Sequence, residues 1–210
     1  MKLFVFIVAC IFILGVVLKK QTNSSVKAKS LAIETNVVKE QATELLRLKN
    51  YAGEIKKYAN QHKYNATTCF FVDMKIQSGK KRFFVYDLKN DTILLKGMVT
   101  HGSGKQFNDT IQFSNVVESN CTSLGKYKIG NAYHGKFGLA YKLFGLDKTN
   151  SNAYARSIVL HAHPAIPVYE TAPEKICTSW GCPTVAPAFL KELKTYIDKS
   201  SKPILLGIFN

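Results

Sequence analysis

Three consecutive segments between residues 68 and 100 use one design: TCFFVDMKI (68–76), KRFFVYDL (81–88) and TILLKGMVT (92–100). Each is a short run rich in Phe, Val, Ile, Leu and Tyr, and Gly-Lys and Asn-Asp turns separate them. Apolar runs too short for helices and closed by turn residues predict a β meander. Further strands are predicted at SIVLHA (157–162) and PILLGIF (203–209), with a helix from 187 to 199 between them. Residues 102–152 are rich in Gly, Ser and Asn and weakly periodic, which predicts long loops around a site carried on a mainly β scaffold. Ahead of the meander, Leu31, Val38, Ala42, Leu45, Leu48, Ala52, Ile55 and Ala59 recur at helical spacing among Lys and Glu. That stripe predicts an amphipathic helix packed on its own domain.

The first 20 residues set the compartment. LFVFIVACIFILGVVL (3–18) lies between Lys2 and Lys19-Lys20 and leads into a polar QTNSS stretch. This predicts an exported chain, with the run serving as a signal peptide or as a membrane anchor. It is slightly shorter than the roughly 20 residues of a comfortable span. Ile7-Val8-Ala9-Cys10 has the form of a lipidation site, but the apolar run continues past Cys10. The expected organisation is a leader at 1–20, a linker and helix at 21–66 and a catalytic domain at 67–210. The net charge of +15 is spread along the chain. It suits an anionic envelope polymer or membrane surface, and no nucleic-acid-binding motif accompanies it.

Four of the five cysteines, Cys69, Cys121, Cys177 and Cys182, follow the leader. In an oxidising compartment each is a candidate for a disulfide or a small buried apolar residue. Cys182 differs in its surroundings. In Ser179-Trp180-Gly181-Cys182-Pro183 a glycine lets the backbone turn tightly before the thiol, and proline removes a competing donor after it. Backbone N–H groups converging at such a turn suit an oxyanion hole. His161 ends the SIVLHA strand and His163 follows two residues later on the same face, so either could serve as the base for the thiol. The other chemistry open to these residues is zinc held by His161, His163, Cys177 and Cys182, although Cys-x4-Cys is a loose spacing for zinc.

Taken in order, these pieces resemble the L,D-transpeptidase catalytic-domain family, in the branch with a Ser-Trp-Gly-Cys-Pro motif. The resemblance runs from about residue 67 to 210. It includes Lys81-Arg82, Val85-Tyr86-Asp87-Leu88, His101-Gly102, Phe113-Ser114-Asn115, Ser123-Leu124-Gly125, Tyr133, Gly135-Lys136, Gly145-Leu146, Asn152, Arg156, and His161 standing 21 residues before Cys182. Ala162 stands where the family usually has Gly, and Thr178 where it usually has Arg. The resemblance implies a β-sandwich or barrel with long loops, Cys182 as nucleophile and His161 as base. It also implies Gly181 and Cys182 N–H groups as oxyanion donors and Ser179 as a shaper of the loop. Arg156, Ser123, Tyr133, His163 and Trp180 are candidate substrate contacts, and Cys177 is a bystander or half of a disulfide. The implied partners are peptidoglycan stem peptides, with no metal or organic cofactor. Water as acceptor would make the chain an L,D-carboxypeptidase. The other classes open are a non-catalytic wall-binding module and a zinc peptidase.

Overall fold

The computed structural model describes residues 35, 37–105 and 110–210; the expected leader at 1–20, Cys10 and the linker up to residue 34 lie outside them. The meander forms as the sequence predicts: β1 (Thr68–Asp73), β2 (Phe83–Asp87) and β3 (Thr92–Gly97) pair antiparallel in sequence order. The segment 102–152, expected to be loop, instead contains a long hairpin, β4 (Gly125–Gly135) and β5 (Gly138–Gly145). Then come β6 (Val159–Ala162), the two-residue β7 (Thr184–Val185), helix α2 (Pro187–Lys199) and β8 (Leu205–Phe209).

All eight strands join in one mixed sheet of order β3-β2-β1-β8-β4-β5-β6-β7, in which β1–β8 and β6–β7 are the parallel pairs. The outer strands do not stay apart. Just beyond β3, Val99 bridges Val185 of β7, and Thr100 N–H donates to Thr184 O at 3.0 Å. The expected barrel is thus a single sheet curled until its two ends meet, and Thr184 at that seam stands two residues after Cys182.

Alternation along β1 explains the two apolar layers. Phe70 and Val72 point to one side and join Phe83, Val85, Tyr127, Tyr141, Leu160, Leu206 and Ile208 in the main core. Cys69 and Phe71 point to the other and meet Phe84, Tyr86 and Leu205. Each fully buried Phe or Leu contributes about 1.5–3 kcal/mol by its removal from water. Helix α2 starts with Pro187 in its first turn, where the missing N–H costs nothing, and places Leu190 and Leu193 in the main core.

Helix α1 spans residues 37–61, and its residues from Leu48 onward cover the second layer. Residues 48–210 form one unit, in which Leu48, Ala52, Ile55 and Ala59 are fully or almost fully buried. In the helical residues before it, Val38 and Leu45 are exposed, so the packed stripe is its C-terminal half. No helix among the described residues is long and apolar enough to cross a membrane.

Candidate active site

Ser179 pairs in parallel with the segment after β3: its N–H donates to His101 O at 2.9 Å and its carbonyl accepts Ser103 N–H at 2.8 Å. The chain then turns at Gly181, whose φ of +104° is a conformation that L side chains rarely adopt. Space demands glycine as well, because a Cβ there would stand 2.6 Å from Cys121 O. The next residue, Cys182, is half-buried.

The Cys182 carbonyl is the anchor of the loop. Two hydroxyls donate to it, Ser179 Oγ at 2.7 Å and Thr100 Oγ1 at 3.1 Å, and Thr184 Oγ1 lies 3.4 Å away with its proton turned to His161. Thr100 Oγ1 also accepts Thr184 N–H at 3.1 Å, tying the loop to the sheet seam. Cys182 Sγ accepts Val159 N–H at 3.5 Å and lies 3.9 Å from Ser157 O. Burial pushes the thiol pKa up, against the pull of Val159 N–H and the Arg156 charge. The resting group is therefore a thiol, and a base must take its proton before it can attack.

His161 is buried on β6. The β6–β7 register pairs His161 with Thr184, which puts Val159 level with Cys182. The backbones of His161 and Cys182 are thus two residues apart along the strand, roughly 6–7 Å by strand rise. The imidazole nitrogens are engaged elsewhere than at Sγ. Nδ1 faces Ala162 O at 3.1 Å and Nε2 faces Thr184 Oγ1 at 3.0 Å. A carbonyl only accepts, so Nδ1 carries the proton and Nε2 is the basic atom, accepting from the threonine hydroxyl. Phe137, from the β4–β5 turn, stacks on the ring with centroids 4.5 Å apart. Burial lowers the His161 pKa, so the ring is neutral near pH 7 and able to receive a proton.

The other candidates separate into supports and surface groups. Arg156 does not face an open site: Nη1 donates to Ser114 O and Ser123 Oγ, each at 3.0 Å, and Nη2 donates to Cys121 O at 2.5 Å. Its guanidinium lies under Gly181, so it braces the turn from below. Ser123 is 1% exposed and bonds Tyr127 Oη at 2.7 Å, which makes it a second internal brace rather than a substrate contact. Gly181 N–H donates to Ser179 Oγ at 3.2 Å, so this expected oxyanion donor is already engaged within the loop. His163 is exposed and its Nδ1 accepts Ala165 N–H at 3.2 Å, capping a turn. Trp180 is 79% exposed. Tyr133 lines a cleft of ≈ 210 Å³ with Lys142, Tyr154, Ser157, Ile158 and Val159, and Ser157 and Val159 are the residues that touch Cys182 Sγ.

Sequence reasoning missed Thr100, Thr184, Phe137 and Cys121, whose roles depend on strand pairing. It also missed the part played by Arg82. Arg82 is fully buried, gives Nε and Nη2 to Val99 O at 3.1 Å each, and donates to His101 Nδ1 at 2.9 Å. Burial and the Arg82 charge lower the His101 pKa to about 4, so His101 is a neutral acceptor behind the loop. Cys177 is exposed and all four described cysteines are free. Among the described residues no three His, Cys, Asp or Glu side chains gather as a metal site.

Fold and site together define a β-sheet protein with a thiol held on a braced loop beside the strand that carries a neutral imidazole. The chain belongs to the L,D-transpeptidase catalytic-domain family, whose sequence model matches residues 39–205. A comparison with curated proteins found no match. Among solved structures it is similar to a mutant of the Enterococcus faecium L,D-transpeptidase, at 17% identity and TM-score 0.41, covering 68% of this chain and 50% of that one. It is also similar to an L,D-transpeptidase from Mycobacterium smegmatis, at 11% identity and TM-score 0.39, covering 69% and 59%. A third is the helical cell shape determining protein Pgp2 of Campylobacter jejuni, at 11% identity and TM-score 0.41, covering 68% and 47%. The chain thus spans about half the length of these proteins.

Proposed function

We propose that the chain is an exported L,D-transpeptidase that acts on peptidoglycan stem peptides through an acyl-enzyme on Cys182. The observation that carries this reading is the Cys182 carbonyl held by the Ser179 and Thr100 hydroxyls while its Sγ meets Val159 N–H and Ser157 O, two residues that line the Tyr133 cleft. The loop spends no motion on reaching the reactive geometry, and such positioning lowers a barrier.

In the reaction, His161 Nε2 takes the Cys182 proton through a bridging water or the Thr184 hydroxyl that stands 3.0 Å from it. The thiolate attacks the carbonyl carbon of the L-centre before the terminal D-residue. A C–S bond forms, and Cys182 N–H stabilises the oxyanion. The amide C–N bond then breaks, and the leaving amine takes the proton held by His161. The amine of a second stem next attacks the thioester, gives its proton back to His161 and releases the thiol. Water in place of that amine yields a carboxypeptidase by the same steps.

The test is incubation of the purified chain with muropeptides and a mass readout. Cross-linked dimers are expected, absent in Cys182→Ser and retained in Cys177→Ser. Turnover surviving in Cys182→Ser, or lost in a folded Cys177→Ser, would sink the assignment of the nucleophile. No acyl-enzyme and no product from any stem peptide would sink the function.

A further inference from the structure

A second concavity lies beside the nucleophile loop. The chain after β1 and the chain that leads into the loop enclose a depression of ≈ 310 Å³. Hydrogen bonds join the two segments: Gly79 O accepts Thr171 N–H at 2.8 Å and Ala172 N–H at 3.0 Å, and Gln77 Nε2 donates to Pro173 O at 2.9 Å. Met74, Ile76 and Ile176 supply apolar walls, and His101 and Thr178 bound the side next to Ser179. Neither Cys182 nor any residue of the Tyr133 cleft lines it. Small-molecule sites start at roughly 300 Å³.

The charged groups of this depression share one sign. Lys75 and Lys175 are exposed there, and no carboxylate side chain is among its lining residues. Deeper in, Ser78 is 4% exposed and its Oγ has no hydrogen-bond partner among the described residues. A buried hydroxyl in that state destabilises a fold unless something else bonds it. His101 adds a second donor. Arg82 Nη2 donates to its Nδ1 at 2.9 Å, so in the neutral ring the proton sits on Nε2, on the side away from the arginine. The charge of Arg82 is met within the fold, by Val99 O, Ile76 O and the nearby Asp73 carboxylate.

We propose that this depression is a binding site for a small organic carboxylate, separate from the thiol cleft. The two lysines draw the anion as point charges. The His101 N–H and the Ser78 hydroxyl are neutral donors, one for each carboxylate oxygen, and the Met74, Ile76 and Ile176 walls take the apolar body. A phosphate brings a third oxygen and suits an arginine fork or a helix N-terminus, and neither is among the lining residues. The N–H groups of Gly102 and Ser103 are already given to Thr122 Oγ1 and Ser179 O. An occupant would rest against the segment whose His101 O and Ser103 N–H hold Ser179 of the nucleophile loop.

Titration of the isotope-labelled full chain with benzoate, followed by amide NMR, tests this. Shifts are expected to centre on residues 74–78, 101–103 and 175–178. Benzamide, which has the same shape without the charge, should bind about tenfold more weakly. Lys75→Gln combined with Lys175→Gln should weaken benzoate binding about tenfold, and Lys75→Arg with Lys175→Arg should keep it. Ser78→Ala should weaken benzoate binding and raise the urea midpoint of the ligand-free chain, because it removes a buried hydroxyl that has no partner. A lowered midpoint with unchanged binding would give Ser78 to the fold alone and overturn the proposal. Shifts centred on Tyr133 and Val159 would overturn it by placing the anion in the thiol cleft. Equal affinity for benzamide, unchanged affinity in the glutamine variant, or no shift at all would overturn it too. Phenyl phosphate binding more than about tenfold tighter than benzoate would overturn the carboxylate class.

Discussion

Two glycines with positive φ separate the cost of backbone strain from the cost of crowding. At Gly138, φ is +74° and an added Cβ would meet nothing within 4 Å. At Gly181, φ is +104° and the Cβ would stand 2.6 Å from Cys121 O, a carbonyl that Arg156 Nη2 already holds. Gly138→Ala therefore carries only the penalty of a left-handed L residue, about 1–2 kcal/mol. Gly181→Ala adds an overpacking penalty of about 1–3 kcal/mol to a larger strain term, together about 3–5 kcal/mol. Urea unfolding followed by far-UV circular dichroism would give both values. A second readout is the alkylation rate of Cys182 by iodoacetamide, which should change in Gly181→Ala, because the thiol's own loop must shift, and stay near wild type in Gly138→Ala. Equal destabilisation by the two substitutions, or an unchanged alkylation rate in Gly181→Ala, would refute the claim that this turn sets the thiol.

Protonation of His101 should weaken the fold in acid. Its folded pKa of about 4 lies below the usual value near 6.5, so the neutral form belongs to the native state and the unfolded chain takes up the proton first. The histidine's share of stability is complete above about pH 6.5 and is lost as pH falls from there to 4, about 3 kcal/mol in all. The difference in urea stability between pH 7 and pH 4.5 should shrink in His101→Gln, and an unaltered difference would contradict the account. Phe137→Ala should raise the His161 pKa toward 6.5 by exposing the ring to water, as read by NMR titration; no rise would show that the stacked ring does not desolvate it.

What could be read from sequence follows from where the information resides. β1, β2, β3, β6, β8 and α2 were legible because each apolar run is bounded by turn residues. The β4–β5 hairpin was not, although Tyr127 and Ile129 alternate with Lys126 and Lys128 in the expected way. Its bulge at Gly130-Asn131 breaks the period, and beyond it both faces of β4 are open to solvent. The nucleophile loop was legible from Gly181-Cys182, because a glycine turn is a local property. Its fixation was not, since Thr100 lies 82 residues from Cys182 in sequence and the His161–Thr184 pairing depends on the β6–β7 register. The internal role of Arg156 was not legible, because a charged side chain beside a strand gives no hint that its Nη groups bond carbonyls and a hydroxyl 33 to 42 residues away in sequence.

The meeting of the two sheet ends also bears on how the protein avoids self-association. An unpaired strand edge is a template on which another chain can add. At β7 that edge is only two residues long, and Val99 and Thr100 already occupy its partners. At β3 the edge is interrupted by an irregularity opposite Val85 and Tyr86 and carries Lys96, both features that discourage strand addition. The same threonine pair that steadies the thiol thus keeps an adhesive surface covered. A substitution that released it would disable the loop and unseal the edge together, so loss of chemistry and onset of aggregation would share one cause.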